Sequence, residues 1–161
     1  MGDGAAMADW GVVPEIIGKE PDDYAGDVKP EEAFRVLGAE PGAVLVDVRT
    51  RAEWSFVGLP DLSGLGKEPV LLEWQVFPAM DRNPRFAEDL AAALGPDTRS
   101  APIFFLCRSG ARRRAAAVAL TAGGFARCYN IAGGFEGDLD GARHRGGHNG
   151  WKAAGLPWAQ S

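Results

Sequence analysis

The chain has 161 residues, 46% of them hydrophobic and 24% charged, and a formal net charge of −5. That length suits one domain with a core of useful size, and the acidic balance disfavours nonspecific nucleic-acid binding. Two cysteines 21 residues apart make neither a disulfide framework nor a structural zinc site, no apolar run is long enough to span a membrane, and Met1 to Trp10 lacks the basic and apolar parts of a signal peptide, so we expect a cytoplasmic protein with no membrane or nucleic-acid partner.

Residues 1 to 27 are rich in Gly, Asp and Pro and read as an irregular or partly disordered arm. Residues 28 to 161 then form the domain. Pro30 to Leu37 predicts a short helix, with Pro30 suited to the first position, acids in the first turn and Gly38 past the end. Val44 to Val48 reads as a buried strand. Asp47 interrupts its apolar run and needs a partner, for which Arg49 is the obvious neighbour. Val70 to Trp74 reads as a further strand, and Trp74 to Met80 as an apolar loop suited to lining a pocket. Asn83 is expected to cap a helix beginning at Pro84, whose core stripe is Phe86, Leu90 and Leu94 and whose end is Gly95-Pro96.

The most informative stretch is Ile103 to Arg114. Four apolar residues bounded by Pro102 read as a strand buried on both faces, of the kind found in parallel sheets. Cys107 follows at its C-terminal end, then a turn containing Gly110, then a helix from Arg112 to Ala122 stopped by Gly123-Gly124. Helix N-termini favour acids. Here Arg108, Arg112, Arg113 and Arg114 crowd the start, and between Asp97 and Glu136 the chain carries six arginines, no lysine and no acid. Such a concentration of positive charge is costly unless an anion occupies it, either a thiolate at Cys107 or an oxyanion cradled by backbone N–H groups. A helix N-terminus and neighbouring arginines bring cysteine pKa values from about 8.5 to roughly 3.5–7.5, which would make Cys107 a nucleophile at neutral pH. Cys128, inside the apolar stretch Phe125 to Ile131, reads instead as a small buried hydrophobe.

The loop Cys107-Arg108-Ser109-Gly110-Ala111-Arg112 resembles the active-site loop of the rhodanese (thiosulfate sulfurtransferase) family. Val44-Leu-Val-Asp47-Val-Arg49, with Glu53-Trp54 and Gly58 behind it, is similar to that family's first strand motif. Ala132-Gly-Gly-Phe135 and Trp151-Lys-Ala-Ala-Gly155-Leu-Pro157-Trp158 are similar to its closing motif. Gly58-Leu-Pro-Asp61 departs from it, lacking a histidine the family often has after the glycine. The resemblance covers about residues 28 to 158. It implies an α/β single rhodanese-like domain: a central, mostly parallel sheet with helices on both faces, and the Asp47–Arg49 strand end beside the cysteine loop.

It also implies a chemistry. Cys107 would be the nucleophile carrying a persulfide, and Arg108, Ser109, Gly110, Ala111 and Arg112 would bind the substrate, with no cofactor or metal. The partners would be a small-molecule sulfur donor and a thiol acceptor, the acceptor in some settings a protein; the oligomeric state is left open. Arginine directly after the cysteine resembles thiosulfate-using members more than mercaptopyruvate-using ones.

Two other readings compete. Five residues separate Cys107 from Arg113, the spacing of cysteine phosphatases and arsenate reductases, in which an arginine grips a tetrahedral oxyanion. Leu106 stands where those phosphatases usually have histidine. A noncatalytic persulfide relay or binding module for a protein partner is the third reading. Finally, an insertion, 138 to 150, precedes the closing motif. It leaves the C-terminal end of the strand Arg127 to Ile131, the edge where open α/β sheets bind ligands, and reads either as a lid or as a surface loop. His144 and His148 within it are separated by Gly146-Gly147, which disfavours the helix that a zinc pair at this spacing needs.

Overall fold

The computed structural model describes residues 13–18, 24–76, 81–95, 98–107, 115–136 and 150–159. Its framework is a six-stranded sheet in the order β1-β2-β9-β8-β3-β5. The strands are β1 (Ile16–Gly18), β2 (Gly26–Val28), β3 (Val44–Asp47), β5 (Val70–Leu71), β8 (Ile103–Leu106) and β9 (Cys128–Ile131). β2, β9, β8, β3 and β5 run parallel, and β1 adds an antiparallel edge. The fold is therefore α/β with a mostly parallel central sheet, as the family resemblance implies.

Period-two alternation sorts the sheet's side chains into two cores. Ile103, Phe105 and Cys107 enter one, with Val46, Val48, Cys128, and the helices α3 (Phe86–Leu94) and α4 (Ala115–Ala122). Phe104 and Leu106 enter the other, with Leu45, Tyr129, Ile131, and the helices α1 (Pro30–Ala39) and α5 (Gly150–Ala153). All four residues of β8 are fully buried, which is why its sequence shows no alternation.

Several boundaries differ from expectation for local reasons. Of the segment 1 to 27, expected to be an irregular arm, Ile16–Gly18 and Gly26–Val28 belong to the sheet, and Tyr24 is 2% exposed. These strands are three residues each and broken by glycine and Asp27, too short to leave a sequence signal. Helix α1 runs through Gly38 to Ala39 and is closed by the Glu40 N–H on the Val36 carbonyl. Gly38 belongs there because Leu65 packs against it: a Cβ would lie 3.2 Å from the Leu65 Cδ2. Helix α3 starts at Phe86 instead of Pro84, since the Asn83 side chain accepts from the Arg85 N–H and holds a turn ahead of it. Part of the expected loop 74 to 80 is a strand, β6 (Gln75–Val76), paired antiparallel with β7 (Asp81–Arg82). An unpredicted helix, α2 (Arg51–Phe56), follows β3 through a capping box in which Thr50 and Glu53 satisfy each other's backbone N–H groups.

Candidate functional site

Cys107 stands one residue past the end of β8, a strand with parallel partners on both sides. It is 3% exposed. Its backbone is fixed by neighbours: the Val48 N–H donates to the Leu106 carbonyl at 2.9 Å, and the Phe135 N–H donates to the Cys107 carbonyl at 2.7 Å. The carboxyl ends of β3 and β9 thus hold the cysteine from either side, at the edge of the sheet where open α/β folds bind ligands. Arg108, Ser109, Gly110, Ala111 and Arg112, expected to bind substrate, lie outside the described residues, as do Arg113, Arg114, His144, His148 and the insertion up to residue 149.

The expected partnership of Asp47 and Arg49 is present and entirely buried. Both side chains have no exposed surface, the Arg49 Nη2 donates to the Asp47 Oδ2 at 2.7 Å and Nε donates to Oδ1 at 2.9 Å. The same Nη2 donates to the Gly58 carbonyl at 2.7 Å, and the guanidinium carbon lies 4.1 Å from the centre of the Phe135 ring. Arg49 therefore ties three segments together: the end of β3, the turn at Gly58 and the turn at Phe135 that hydrogen-bonds Cys107. Gly58 is required at its position. Its φ is +118°, and a Cβ there would lie 2.9 Å from the Ala159 carbonyl and from the Trp158 ring.

The closing motif locks the Phe135 turn from outside. Trp151 is fully buried and donates its indole N–H to the Pro157 carbonyl at 2.8 Å, while the Lys152 N–H donates to the Phe135 carbonyl. The Lys152 ammonium sits 3.9 Å from the Trp158 ring centre and donates to the Val57 carbonyl. Burial pushes its pKa below the ordinary lysine value, with Glu136 opposing and Arg49 reinforcing that shift. β10 (Trp158–Ala159) completes the lock by pairing with β4 (Leu59–Pro60) beside Gly58.

Cys128 is buried as expected. Its thiol is 3.6 Å from the Phe125 carbonyl, and burial pushes its pKa up to about 11, slightly offset by a hydrogen bond with Thr121. Among the described residues no group of three or more His, Cys, Asp or Glu could hold a metal ion. No helix among them is long and apolar enough to cross a membrane.

One group near the cysteine escaped the sequence reading. On the Cys107 face of the sheet, the Tyr24 hydroxyl donates to the Asp27 Oδ1 at 2.9 Å and the Asn130 Nδ2 donates to the same oxygen at 3.1 Å. Asp27 is 6% and Asn130 1% exposed. The available signal was a polar residue interrupting each apolar stretch, the same signal that singled out Asp47.

Residues 26–161 match the profile of the STR4 middle domain family. The uncharacterized protein RC0915 of Rickettsia conorii is 42% identical over 127 residues, covering 79% of this chain and 91% of that protein. The rhodanese-like domain-containing protein 4, chloroplastic, of Arabidopsis thaliana is 28% identical over 97% of this chain, which spans 30% of that longer protein. Among solved structures, Rv0390 from M. tuberculosis superposes with a TM-score of 0.78 at 47% identity, covering 86% of this chain and all of that one. The polysulfide-sulfur transferase homodimer of Wolinella succinogenes shares the fold alone, with a TM-score of 0.55, 22% identity, and coverage of 99% of this chain and 87% of that one. The fold is thus rhodanese-like, and the chain belongs to the STR4 middle domain family.

Proposed function

We propose that the protein is a sulfurtransferase in which Cys107 carries sulfane sulfur as a persulfide. The observation that carries this reading is the placement of a cysteine one residue beyond the central strand of a mostly parallel sheet, with its backbone clamped by the segments after β3 and β9. A nucleophile so placed is presented at the ligand-binding edge on a rigid element. The rhodanese-like relative in Arabidopsis supports the same class.

In the proposed reaction the Cys107 thiolate attacks the outer sulfur of thiosulfate or a similar donor. The S–S bond of the donor breaks, sulfite leaves with the bonding electron pair, and a persulfide remains on Cys107. An acceptor thiolate, or cyanide in an assay, then attacks the outer sulfur and the Cys107 thiolate is regenerated. Backbone N–H groups of residues 108 to 112 would hold the transferred sulfur and the departing anion, and Arg108 and Arg112 would offset the donor's charge.

Mass spectrometry after thiosulfate treatment tests the reading directly. An increment of about one sulfur atom, absent from Cys107→Ser, is the expected result. Hydrolysis of an aryl phosphate without any sulfur increment would replace this reading by the phosphatase one. A sulfur increment passed only to a protein thiol, with no turnover on cyanide, would make the protein a relay.

A further inference from the structure

The segment expected to line a pocket begins at Trp74, a residue to which the proposed reaction gives no role. Trp74 is 9% exposed and belongs to the same core cluster as Cys107. Two backbone hydrogen bonds link the two segments across the carboxyl edge of the sheet: the Trp74 N–H donates to the Val48 carbonyl at 3.1 Å, and the Val48 N–H donates to the Leu106 carbonyl at 2.9 Å. At about 4.8 Å for each step between neighbouring strands, Trp74 stands roughly 10 Å from Cys107, Cα to Cα.

The fold sets a cation on this tryptophan. β6 and β7 pair Gln75 with Arg82, and the Asn83 N–H donates to the Trp74 carbonyl at 2.8 Å, so Arg82 returns beside the indole. Its guanidinium carbon sits 4.7 Å from the Trp74 ring centre. The Phe86 ring meets Trp74 edge-on with centroids 4.9 Å apart, so the first residue of α3 fixes the indole that carries the exposed arginine. Among the described residues no carboxylate forms an ion pair with Arg82. A guanidinium laid flat on an indole directs its N–H donors outward in its own plane, where an anion can take them.

We propose that Arg82, held on Trp74, is a specificity-determining residue of the Cys107 site: it sets a fixed cation beside the nucleophile and favours anionic substrates, thiosulfate among them, over neutral ones of the same size. The proposal rests on the reading of Cys107 as the nucleophile and names a residue that sorts its substrates by charge. With a formal net charge of −5, the chain as a whole repels an approaching anion. A cation fixed near the reacting sulfur offsets that repulsion locally.

Iodoacetate and iodoacetamide test this directly. A thiolate displaces iodide from both, and at pH 7 the two reagents are of similar size and differ in charge. The rates are measured on the intact folded chain, and mass spectrometry of the labelled peptides separates Cys107 from Cys128. Cys128, with its thiol pushed up to about 11, reacts little near neutrality. Two unit charges roughly 10 Å apart, at an effective dielectric constant between about 20 and about 80, change a rate by about twofold to fifteenfold.

For Arg82→Gln at low ionic strength we expect the iodoacetate rate at Cys107 to fall about threefold to tenfold while the iodoacetamide rate stays constant. Arg82→Lys keeps the charge and should recover most of the iodoacetate rate. In about 1 M salt, where charges are screened beyond about 3 Å, wild type and Arg82→Gln should converge. An unchanged iodoacetate rate in Arg82→Gln overturns the proposal. So do equal changes in both rates, which would mean that Arg82 acts by holding Trp74 in place. Thiosulfate loading of Cys107 should slow by about the same factor as iodoacetate. Alkylation needs no sulfur transfer, so a chain that shows the charge-dependent rates and takes up no sulfur would refute the sulfurtransferase reading and leave Arg82 as the anion-selecting residue of Cys107.

Discussion

Replacing Asp47 by asparagine should be among the most damaging single changes on the cysteine's supporting framework. The wild-type carboxylate takes three bonds from the Arg49 side chain, at 2.7, 2.9 and 3.2 Å, and one from the Arg49 backbone N–H at 3.1 Å, with no surface exposed on either side chain. Asparagine keeps one acceptor and removes the charge. The guanidinium then stays buried against one amide oxygen, the Gly58 carbonyl and the Phe135 ring, with the carboxylate charge gone. Removing one partner of a buried pair costs about 3–5 kcal/mol. The contact with Phe135, worth up to about 2 kcal/mol when desolvated, survives the change, so we expect the lower end, about 3 kcal/mol.

Against a total stability of roughly 5–15 kcal/mol such a loss is easily measured. Urea unfolding at pH 7 should show a lower midpoint at an unchanged slope. The companion variant, Asp47→Leu with Arg49→Met, removes both charges at similar volume and should recover most of the loss, giving a coupling energy of at least about 2 kcal/mol. Because Arg49 stacks on the residue whose N–H holds the Cys107 carbonyl, Asp47→Asn should also slow alkylation of Cys107. A loss below about 1 kcal/mol in the single variant, or a double variant as unstable as the sum of the two singles, would refute the claim that this pair is a buried strut.

Three further outcomes follow from the same contacts. The Cys128 thiol has its folded-state pKa raised by burial from 9.0 to about 11, so the folded state keeps a proton that the unfolded chain releases as pH rises past 9. The stabilising effect is complete below pH 9 and lost towards pH 11. At about 1.4 kcal/mol per unit, wild type should lose roughly 2–3 kcal/mol more than Cys128→Ala over that interval, and parallel stability curves in denaturant would contradict it. Gly58→Ala forces a side chain onto a φ of +118° and against the Ala159 carbonyl; we expect a loss of at least about 2 kcal/mol, and a midpoint unchanged in urea would show that the turn relaxes freely. Thr50→Ala removes the acceptor for the Glu53 N–H at the start of α2 and should cost about 1 kcal/mol, restored by Thr50→Ser.

How much of this could be read from residues alone follows from the range over which each signal acts. The buried run at Ile103–Leu106 announces a central strand because both faces are covered, and a glycine turn leading into an alanine-rich helix puts Cys107 at its end. Asp47 could be assigned a partner two residues away because the pair is local in the chain. The same logic failed for Asp27, whose neighbour Asn130 lies 103 positions further on: interruption of an apolar stretch signals that a polar partner exists and does not say which.

Sequence by itself therefore determined the buried strands, the family resemblance that implies the fold class, and the place of Cys107 at the end of its strand, since periodicity, turn residues and motifs run along the chain. Tertiary structure alone decided that β1 and β2 extend the sheet, that the turns at Gly58 and Phe135 meet through one buried guanidinium, and that a second polar cluster shares the cysteine's face. Those are pairings between distant segments. They are fixed by which side chains the folded sheet excludes from water, and no local pattern encodes them.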